Sequence, residues 1–120
     1  MHDPLGLKLL TRLHVNFSHL RAHKFRHNCR DTVNPLCSCG LEIESTDHYL
    51  LRCSFYTHIR KTLIDNITTI IGPVSSLSDH RLVNILLFGD DTFTSDQNSS
   101  VMKNTIVFLK MSGRFDNPLY

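Results

Sequence analysis

The sequence contains no long apolar run, and we expect no secretory leader. None of its apolar runs, in 120 residues, approaches the ~20 residues that a membrane-spanning helix needs. The N-terminus lacks the uninterrupted apolar core and cleavage site that are typical of a signal peptide. We therefore expect an intracellular protein, nuclear or cytoplasmic, with no membrane partner. Reducing conditions in those compartments disfavour disulfides between its cysteines.

The common catalytic motifs are also missing. The chain has no nucleophile elbow, no P-loop and no glycine-rich dinucleotide turn, and its spacings suggest no acid–base pair. The stretch Gly89-Asp90-Asp91 resembles the metal-binding turn of nucleic-acid polymerases, but that site needs more carboxylates and a longer chain. A helix that ends at glycine before a polar loop is the simpler interpretation. The sequence on its own does not predict an enzyme.

The composition indicates one globular domain. Apolar residues make up 41% and charged residues 20% of the chain, which is typical of globular rather than disordered proteins. A chain of 120 residues is long enough for one ordinary domain and too short for two. The formal net charge is only +2, so it is the distribution of charge that carries information.

Basic residues are concentrated in the first quarter of the chain. Residues 1–30 contain six basic side chains against Asp3 alone, whereas residues 31–120 are net acidic. Such a segment predicts a polyanionic partner, usually RNA or DNA, and the alternative is a solvated helix face. The predicted phosphate contacts are Lys8, Arg12, Arg21, Lys24, Arg26 and Arg30.

The most specific pattern is C-x-C-x8-H-x4-C. Three thiolates and one imidazole complete the tetrahedral ligand set of a structural zinc ion. The predicted ligands are Cys37, Cys39, His48 and Cys53. Because protein atoms fill all four positions, no place remains for a catalytic water. The alternative is a set of reduced core cysteines and a surface histidine.

Several other side chains carry predictions near this motif. Arg52 is expected to offset the negative charge of the zinc site, and Tyr49 or Phe55 to stack on an unpaired base. Cys29 is predicted to be a small buried apolar residue. A row of histidines recurs every four residues, which suggests a second metal site or, more simply, part of a basic helix face. This row consists of His19, His23 and His27.

The apolar periodicity predicts a mostly α-helical domain with a short zinc-binding hairpin of the CCHC type. The expected regions are basic N-terminal helices (1–34), the zinc motif (35–53) and C-terminal helices (54–120). Helices are predicted at 5–13, 17–27, 48–52, 55–71, 79–88 and 98–111. Their expected caps are Asp3, Asn16, Ser45 or Thr46, Ser54, Ser78 and Asp96.

Three details of this prediction concern local geometry. Gly40 permits the positive φ that a tight hairpin turn needs. His48 and Cys53 do not share a face of an ordinary α-helix, so this helix is expected to end or tighten near Arg52. The β-branched run 105–108 could form a strand, although helix is favoured.

Four stretches of the sequence carry a family resemblance. They are LTRLHVNFSHLR (10–21), HKFRH (23–27), NPLCSCGLEIESTDHYLLRC (34–53) and SGRFDNPLY (112–120). Together they resemble the C-terminal segment of non-LTR (LINE-like) retrotransposon endonuclease–reverse transcriptase polyproteins. The C-x-C…H-x4-C core is the most specific part, and the resemblance covers nearly the whole chain.

The resemblance implies a cysteine–histidine domain that follows the polymerase domain. In that family such a domain is expected to help hold template RNA or target DNA, with the other polyprotein domains as partners. The polymerase aspartates are not carried over, because the palm domain that bears them is absent. The chain thus resembles a fragment without polymerase or endonuclease activity. The alternatives are a zinc-folded protein-interaction domain, or a transposon relic that binds no nucleic acid.

Overall fold

The computed structural model describes residues 3–16, 18–30 and 32–116. They form five α-helices: α1 (Pro4–His14), α2 (Arg21–Arg26), α3 (Thr57–Ile71), α4 (Asp79–Phe88) and α5 (Ser95–Met111). A π-helix (His48–Arg52) and a 3-10 turn (Ser54–Tyr56) precede α3. These ranges contain no strand, only an isolated antiparallel bridge between Leu36 and Ile43. The predicted mostly α-helical fold is confirmed.

Several helix ends follow from local sequence signals. The Asp3 carboxylate accepts the N–H of Gly6 at 3.0 Å and so caps α1, which begins with proline. The Ser78 hydroxyl accepts the N–H of Arg81 at 3.1 Å and caps α4. Gly89 ends α4 with a φ of 72°, a conformation that favours glycine. These ends were predicted correctly.

The helix expected at 17–27 is shorter than predicted, and its proposed Asn16 cap is wrong. Asn16 has a φ of 59°, whereas an N-cap residue is typically extended. The Ser18 hydroxyl accepts the N–H of Leu20 at 3.1 Å, and such local bonds compete with helical ones. Leu20 is extended, and α2 therefore begins only at Arg21. Phe17 lies outside the described residues.

The starts of α3 and α5 also differ from the prediction. Thr94, rather than Asp96, caps α5: its hydroxyl accepts the N–H of Gln97 at 3.1 Å, and the Gln97 side chain accepts the N–H of Thr94 at 2.8 Å. This reciprocal capping box begins the helix three residues earlier than predicted. The run 105–108 is helical. Ser54 lies in the 3-10 turn and gives α3 no side-chain cap.

The core forms where α5 packs against α1, α3 and α4. In α3, Leu63 and Ile67 are buried, and Ile59, Ile70 and Ile71 pack partly buried against the core. Gly6 allows α1 to approach α5, because a Cβ at this position would collide with Cγ2 of Ile106. One core cluster includes residues from all three predicted regions.

Tyr49 fixes the π-helix to this core. Its side chain is completely buried, and its ring makes edge contacts with Tyr56, Phe108 and Phe115 at centroid distances of 5.3, 5.4 and 5.4 Å. Its hydroxyl is 2.6 Å from Oγ of Ser112. The segment that carries His48 and Cys53 is thereby held against the end of α5. Across the described ranges, none of the helices has the length and apolarity to cross a bilayer.

Candidate metal centre

A tight hairpin presents the first two thiols of the motif. The N–H of Cys37 donates to the carbonyl of Glu42 at 2.8 Å, and the N–H of Gly40 donates to the carbonyl of Cys37 at 2.9 Å. Gly40 has the predicted positive φ, 82°. The bridge between Leu36 and Ile43 closes the base of the hairpin. Backbone pairing thus places Cys37 and Cys39 on one short turn.

A π-helix presents the other two ligands. The Ser45 hydroxyl accepts the N–H of His48 at 3.2 Å, as expected for a cap. The N–H of Cys53 donates to the carbonyl of His48 at 2.8 Å, which is the i to i+5 bond of a π-helix. The helix ends at Arg52, which is one of the two predicted forms, but it does not tighten before that point. The turn widens instead, and five residues come close to a full turn, so that His48 and Cys53 reach the same side.

The four side chains converge on one point. Their ligand atoms all lie within 4.8 Å of one another. Sγ of Cys37 is 3.8 Å from Sγ of Cys53, and Sγ of Cys39 is 3.3 Å from Nε2 of His48. A tetrahedral ion with zinc-like bond lengths requires separations of about 3.8 Å between sulfurs and about 3.5 Å between sulfur and nitrogen. The cluster can therefore hold one metal ion, and its cysteines are free thiols.

The thiols of the hairpin differ in their ease of ionisation. Burial raises the pKa of Cys37 to about 12, although the N–H of Cys39 acts in the opposite direction. The pKa of Cys39 is lowered, chiefly because the backbone N–H of Leu41 bonds to its sulfur. Thiolates rather than thiols bind metals. A cation at the centre would favour the thiolate at every position, including the buried one.

Glu42 and Arg52 lie behind the imidazole of His48. Oε2 of Glu42 is 3.3 Å from Nδ1 of His48, yet this buried nitrogen makes no hydrogen bond of good geometry with the residues described. A carboxylate behind a ligating histidine is typical of metal sites. Arg52 donates to Glu42 at 3.0 Å and to Asp79 at 2.5 Å. Arg52 is thus paired with two carboxylates, so its charge does not act on the thiols alone.

Arg60 of α3 is a contributor that the sequence prediction missed. Its guanidinium donates to the carbonyls of Leu50 and Cys53 at 2.8 Å each and to that of Tyr49 at 3.3 Å. These carbonyls lie in and just after the π-helix. Burial lowers the pKa of Arg60, whereas the Cys53 thiol has the opposite effect. No spacing rule distinguishes Arg60 from its neighbour Lys61, which is exposed.

An ion pair between Arg114 and the buried carboxylate of Glu44 joins the hairpin to the segment after α5. Arg114 donates to the two carboxylate oxygens of Glu44 at 2.8 and 2.7 Å, and to the carbonyl of His19 at 2.8 Å. The N–H of Arg21 donates to Glu44 at 2.7 Å. Glu44 thus connects α2, the hairpin and the segment after α5. The SGRFD stretch, noted above for its resemblance, supplies Arg114.

The predicted basic residues divide into two groups. Lys8 and Arg12 belong to α1, which packs against α4 and α5. Arg21, Lys24 and Arg26 belong to α2, which lies beside the hairpin because the N–H of Ala22 donates to the carbonyl of Glu44 at 3.1 Å. Arg30 follows α2 and is exposed. The structure therefore places the α2 group, rather than all six residues, beside Glu44 and Thr46, which connect the hairpin to the π-helix.

The structure excludes one alternative of the stacking prediction, and the prediction for Cys29 is wrong. Tyr49 cannot stack on a base, because it is 0% exposed, whereas Phe55 is 58% exposed. Cys29 is exposed rather than buried. The reason is that α2 ends at Arg26, which leaves Cys29 in a surface turn.

The histidine row forms no second metal cluster among the residues described. His23 is buried, with Nδ1 2.6 Å from the Ser18 hydroxyl and Nε2 3.2 Å from that of Thr46. Nε2 of His27 lies 3.2 Å from the carbonyl of Asn16. These two imidazoles join elements of the fold.

The Gly89-Asp90-Asp91 stretch is a helix end and a polar loop, as the simpler interpretation predicted. The Asp90 carboxylate accepts hydrogen bonds from Thr92 and Arg81 at 2.6 Å each. The pKa of this carboxyl is lowered, chiefly by the hydrogen bond from the Thr92 hydroxyl and also by Arg81.

Comparison with known protein families, curated proteins and solved structures gives no match for this chain. The resemblance found in the sequence, and the function it implies, therefore stay predictions.

Proposed function

We propose that the chain is a zinc-stabilised nucleic-acid-binding module, similar to the region after the reverse transcriptase domain of non-LTR retrotransposon proteins. The observation that carries the proposal is the convergence of four cysteine and histidine ligand atoms within 4.8 Å, on a hairpin whose end at Glu44 bonds to the basic helix α2. The proposed zinc ligands are Cys37, Cys39, His48 and Cys53. In this proposal zinc fixes the hairpin to the π-helix, and α2 contacts RNA or DNA.

The donor set supports zinc as the metal. Three sulfurs and one imidazole nitrogen suit zinc, whereas calcium and magnesium prefer oxygen ligands. Four protein ligands would leave no open position for a substrate or a water molecule. The proposed role of the metal is therefore structural, and no enzymatic activity is proposed for this chain alone.

Metal content tests the first half of the proposal. The purified protein should contain about one equivalent of zinc by elemental analysis, and Cys39→Ser should lose most of it together with thermal stability. Cys29→Ser is the matched control, since Cys29 is an exposed thiol outside the cluster. Wild-type protein without metal, or equal zinc loss in both variants, would refute the zinc site.

Salt dependence tests the second half. If all six predicted residues contact phosphates, log affinity against log salt on single strands should have a slope of about −4, whereas contacts from Arg21, Lys24 and Arg26 of α2 alone predict about −2. The affinity for RNA and single-stranded DNA should be measured over a series of salt concentrations. A flat dependence would contradict the proposal and favour the interaction-domain alternative.

A charge-matched pair of variants locates the binding surface. Arg21→Ala with Arg26→Ala removes two charges from α2 and should reduce the magnitude of the slope by about 1.4. Lys61→Ala with Lys103→Ala removes the same charge from exposed positions on α3 and α5. This control should leave the slope unchanged, and equal effects of both pairs would indicate only a general charge effect.

A further inference from the structure

We propose that the cleft between α2 and the cysteine hairpin binds one unpaired base of a single-stranded nucleic acid. This inference rests on the proposed function and assigns it a site. The cleft has a volume of about 500 Å³. Its walls include Asn16, Phe25, Arg26, Ile43, Thr46 and Asp47. We call it the α2 cleft.

An aromatic ring on one wall suits a stacked base. Phe25 of α2 is 45% exposed, and Ile43 of the hairpin, which also lines the cleft, is 53% exposed. These exposed apolar side chains offer a surface that a bound base could bury. In the sequence Phe25 lies between Lys24 and Arg26, and aromatic rings among cations are typical of surfaces that bind single strands. Phe25 is therefore a better stacking platform than Tyr49, which is buried.

The α2 cleft is lined by side chains of opposite charge, Arg26 and Asp47. Arg26 is exposed and makes no ion pair with the described part of the chain, so its guanidinium can contact a phosphate. Asp47 precedes the ligand His48 and also lines the cleft. A carboxylate repels phosphate but accepts hydrogen bonds from exocyclic amino groups, as on cytosine. The base would therefore lie towards Asp47 and the phosphate towards Arg26.

This arrangement favours a nucleotide over an acidic peptide. The side chains of such a peptide would meet the Asp47 carboxylate and offer nothing to stack on Phe25. A nucleotide uses the ring, the cation and the carboxylate together. Because uracil and thymine lack an exocyclic amino group, the α2 cleft should prefer cytosine to them.

Fluorescence anisotropy with labelled oligo(dC) and oligo(dT) of about 12 nucleotides tests the site. Phe25→Leu keeps apolar bulk but removes the ring, and should weaken oligo(dC) binding about tenfold. Phe88→Leu is the matched control, because Phe88 is 60% exposed at the end of α4, outside the α2 cleft. Asp47→Asn should bring the affinities for oligo(dC) and oligo(dT) closer together. Zinc content and circular dichroism should show that each variant is folded.

The possible results separate the two proposals. If the wild-type protein binds neither oligonucleotide, this site is wrong, and the proposed function fails with it when the salt series detects no RNA binding either. If it binds both, but Phe25→Leu behaves like Phe88→Leu, the site is wrong while the proposed function stands. If poly-glutamate displaces the oligonucleotide as well as unlabelled oligo(dC) does, the surface binds anions in general and the base site is also wrong.

Discussion

At the scale of single residues, His23 connects the basic helix to the ligand-bearing segment. Its side chain is 6% exposed and lies between the hydroxyls of Ser18 and Thr46. Its pKa is lowered to about 4, chiefly by burial and also by the charges of Arg26 and His27. The Glu44 carboxylate acts in the opposite direction. The imidazole is therefore neutral at pH 7, and α2 remains attached to the start of the π-helix.

We expect this histidine to make the fold sensitive to acid. The unfolded imidazole, with a pKa of about 6.5, binds a proton more readily than the folded one. Its contribution to stability is therefore complete above about pH 6.5 and is lost progressively as the pH falls towards 4. Between pH 7 and pH 5 the loss should be about 2 kcal/mol.

Urea unfolding of wild-type protein and of His23→Gln at both pH values measures this term. Zinc release in acid affects both proteins, so the difference between them isolates His23. A titration of the His23 ring protons by NMR provides a direct check. Titration near pH 6.5 would show that burial does not shift the pKa.

At the scale of elements, the π-helix brings two ligands together but leaves backbone carbonyl groups in need of other partners. Its i to i+5 bond lets His48 and Cys53 reach one point. The N–H of Cys53, which would bond to the carbonyl of Tyr49 in an α-helix, bonds to that of His48 instead, and the last carbonyls of any helix lack helical partners. The carbonyls of this turn therefore require other partners. Arg60 supplies them from α3 with three hydrogen bonds. The geometry of the metal centre thus depends on a cation that binds none of the proposed ligand atoms.

Replacing Arg60 with methionine should destabilise the protein and weaken zinc binding together. The variant keeps much of the side-chain volume but leaves carbonyls of Tyr49, Leu50 and Cys53 without this donor, at a cost of about 2 kcal/mol. Competition with a chromogenic chelator measures the affinity for zinc, and urea unfolding measures stability. Lys61→Met is the control at an adjacent exposed position. Unchanged values in Arg60→Met would exclude this supporting role.

At the scale of the whole molecule, the Glu44–Arg114 pair joins parts of the chain that are distant in sequence. The pair spans 70 residues, and the Glu44 side chain is only 5% exposed. Through it the hairpin contacts the segment after α5, and through the Arg21 N–H it contacts α2. Phe115, next to Arg114, packs on Tyr49. Arg114 and Phe115 therefore support the hairpin and the π-helix that carry the proposed ligands.

Arg114→Ala should lower the free energy of unfolding by about 3 kcal/mol, because it leaves the Glu44 carboxylate buried without its cation. The double variant Arg114→Ala with Glu44→Gln should recover part of this loss, since it also removes the buried charge. Chemical unfolding of the zinc-loaded proteins provides the comparison. A change below about 0.5 kcal/mol in Arg114→Ala would show that the pair contributes no more than a surface salt bridge.

Local signals in the sequence were sufficient for much of the fold. The caps Asp3 and Ser78 and the glycine ends of α3 and α4 act within a few residues of their own position, so they can be predicted without knowledge of the core. The α2 helix was predicted too long for two reasons. The local bond from the Leu20 N–H to Ser18 was overlooked, and the N–H groups of Arg21 and Ala22 bond to Glu44, which is distant in sequence.

The sequence by itself determined the helical class and the four side chains that converge, because periodicity, caps and ligand spacing are properties of neighbouring residues. The tertiary structure decided that the ligand helix widens rather than tightens, that Tyr49 is an anchor in the core and that Arg60 and Arg114 support the centre. It also decided which basic residues lie beside the hairpin at Glu44. The reason is physical: burial, and the partner of a buried polar group, are set by segments that lie far apart in the chain.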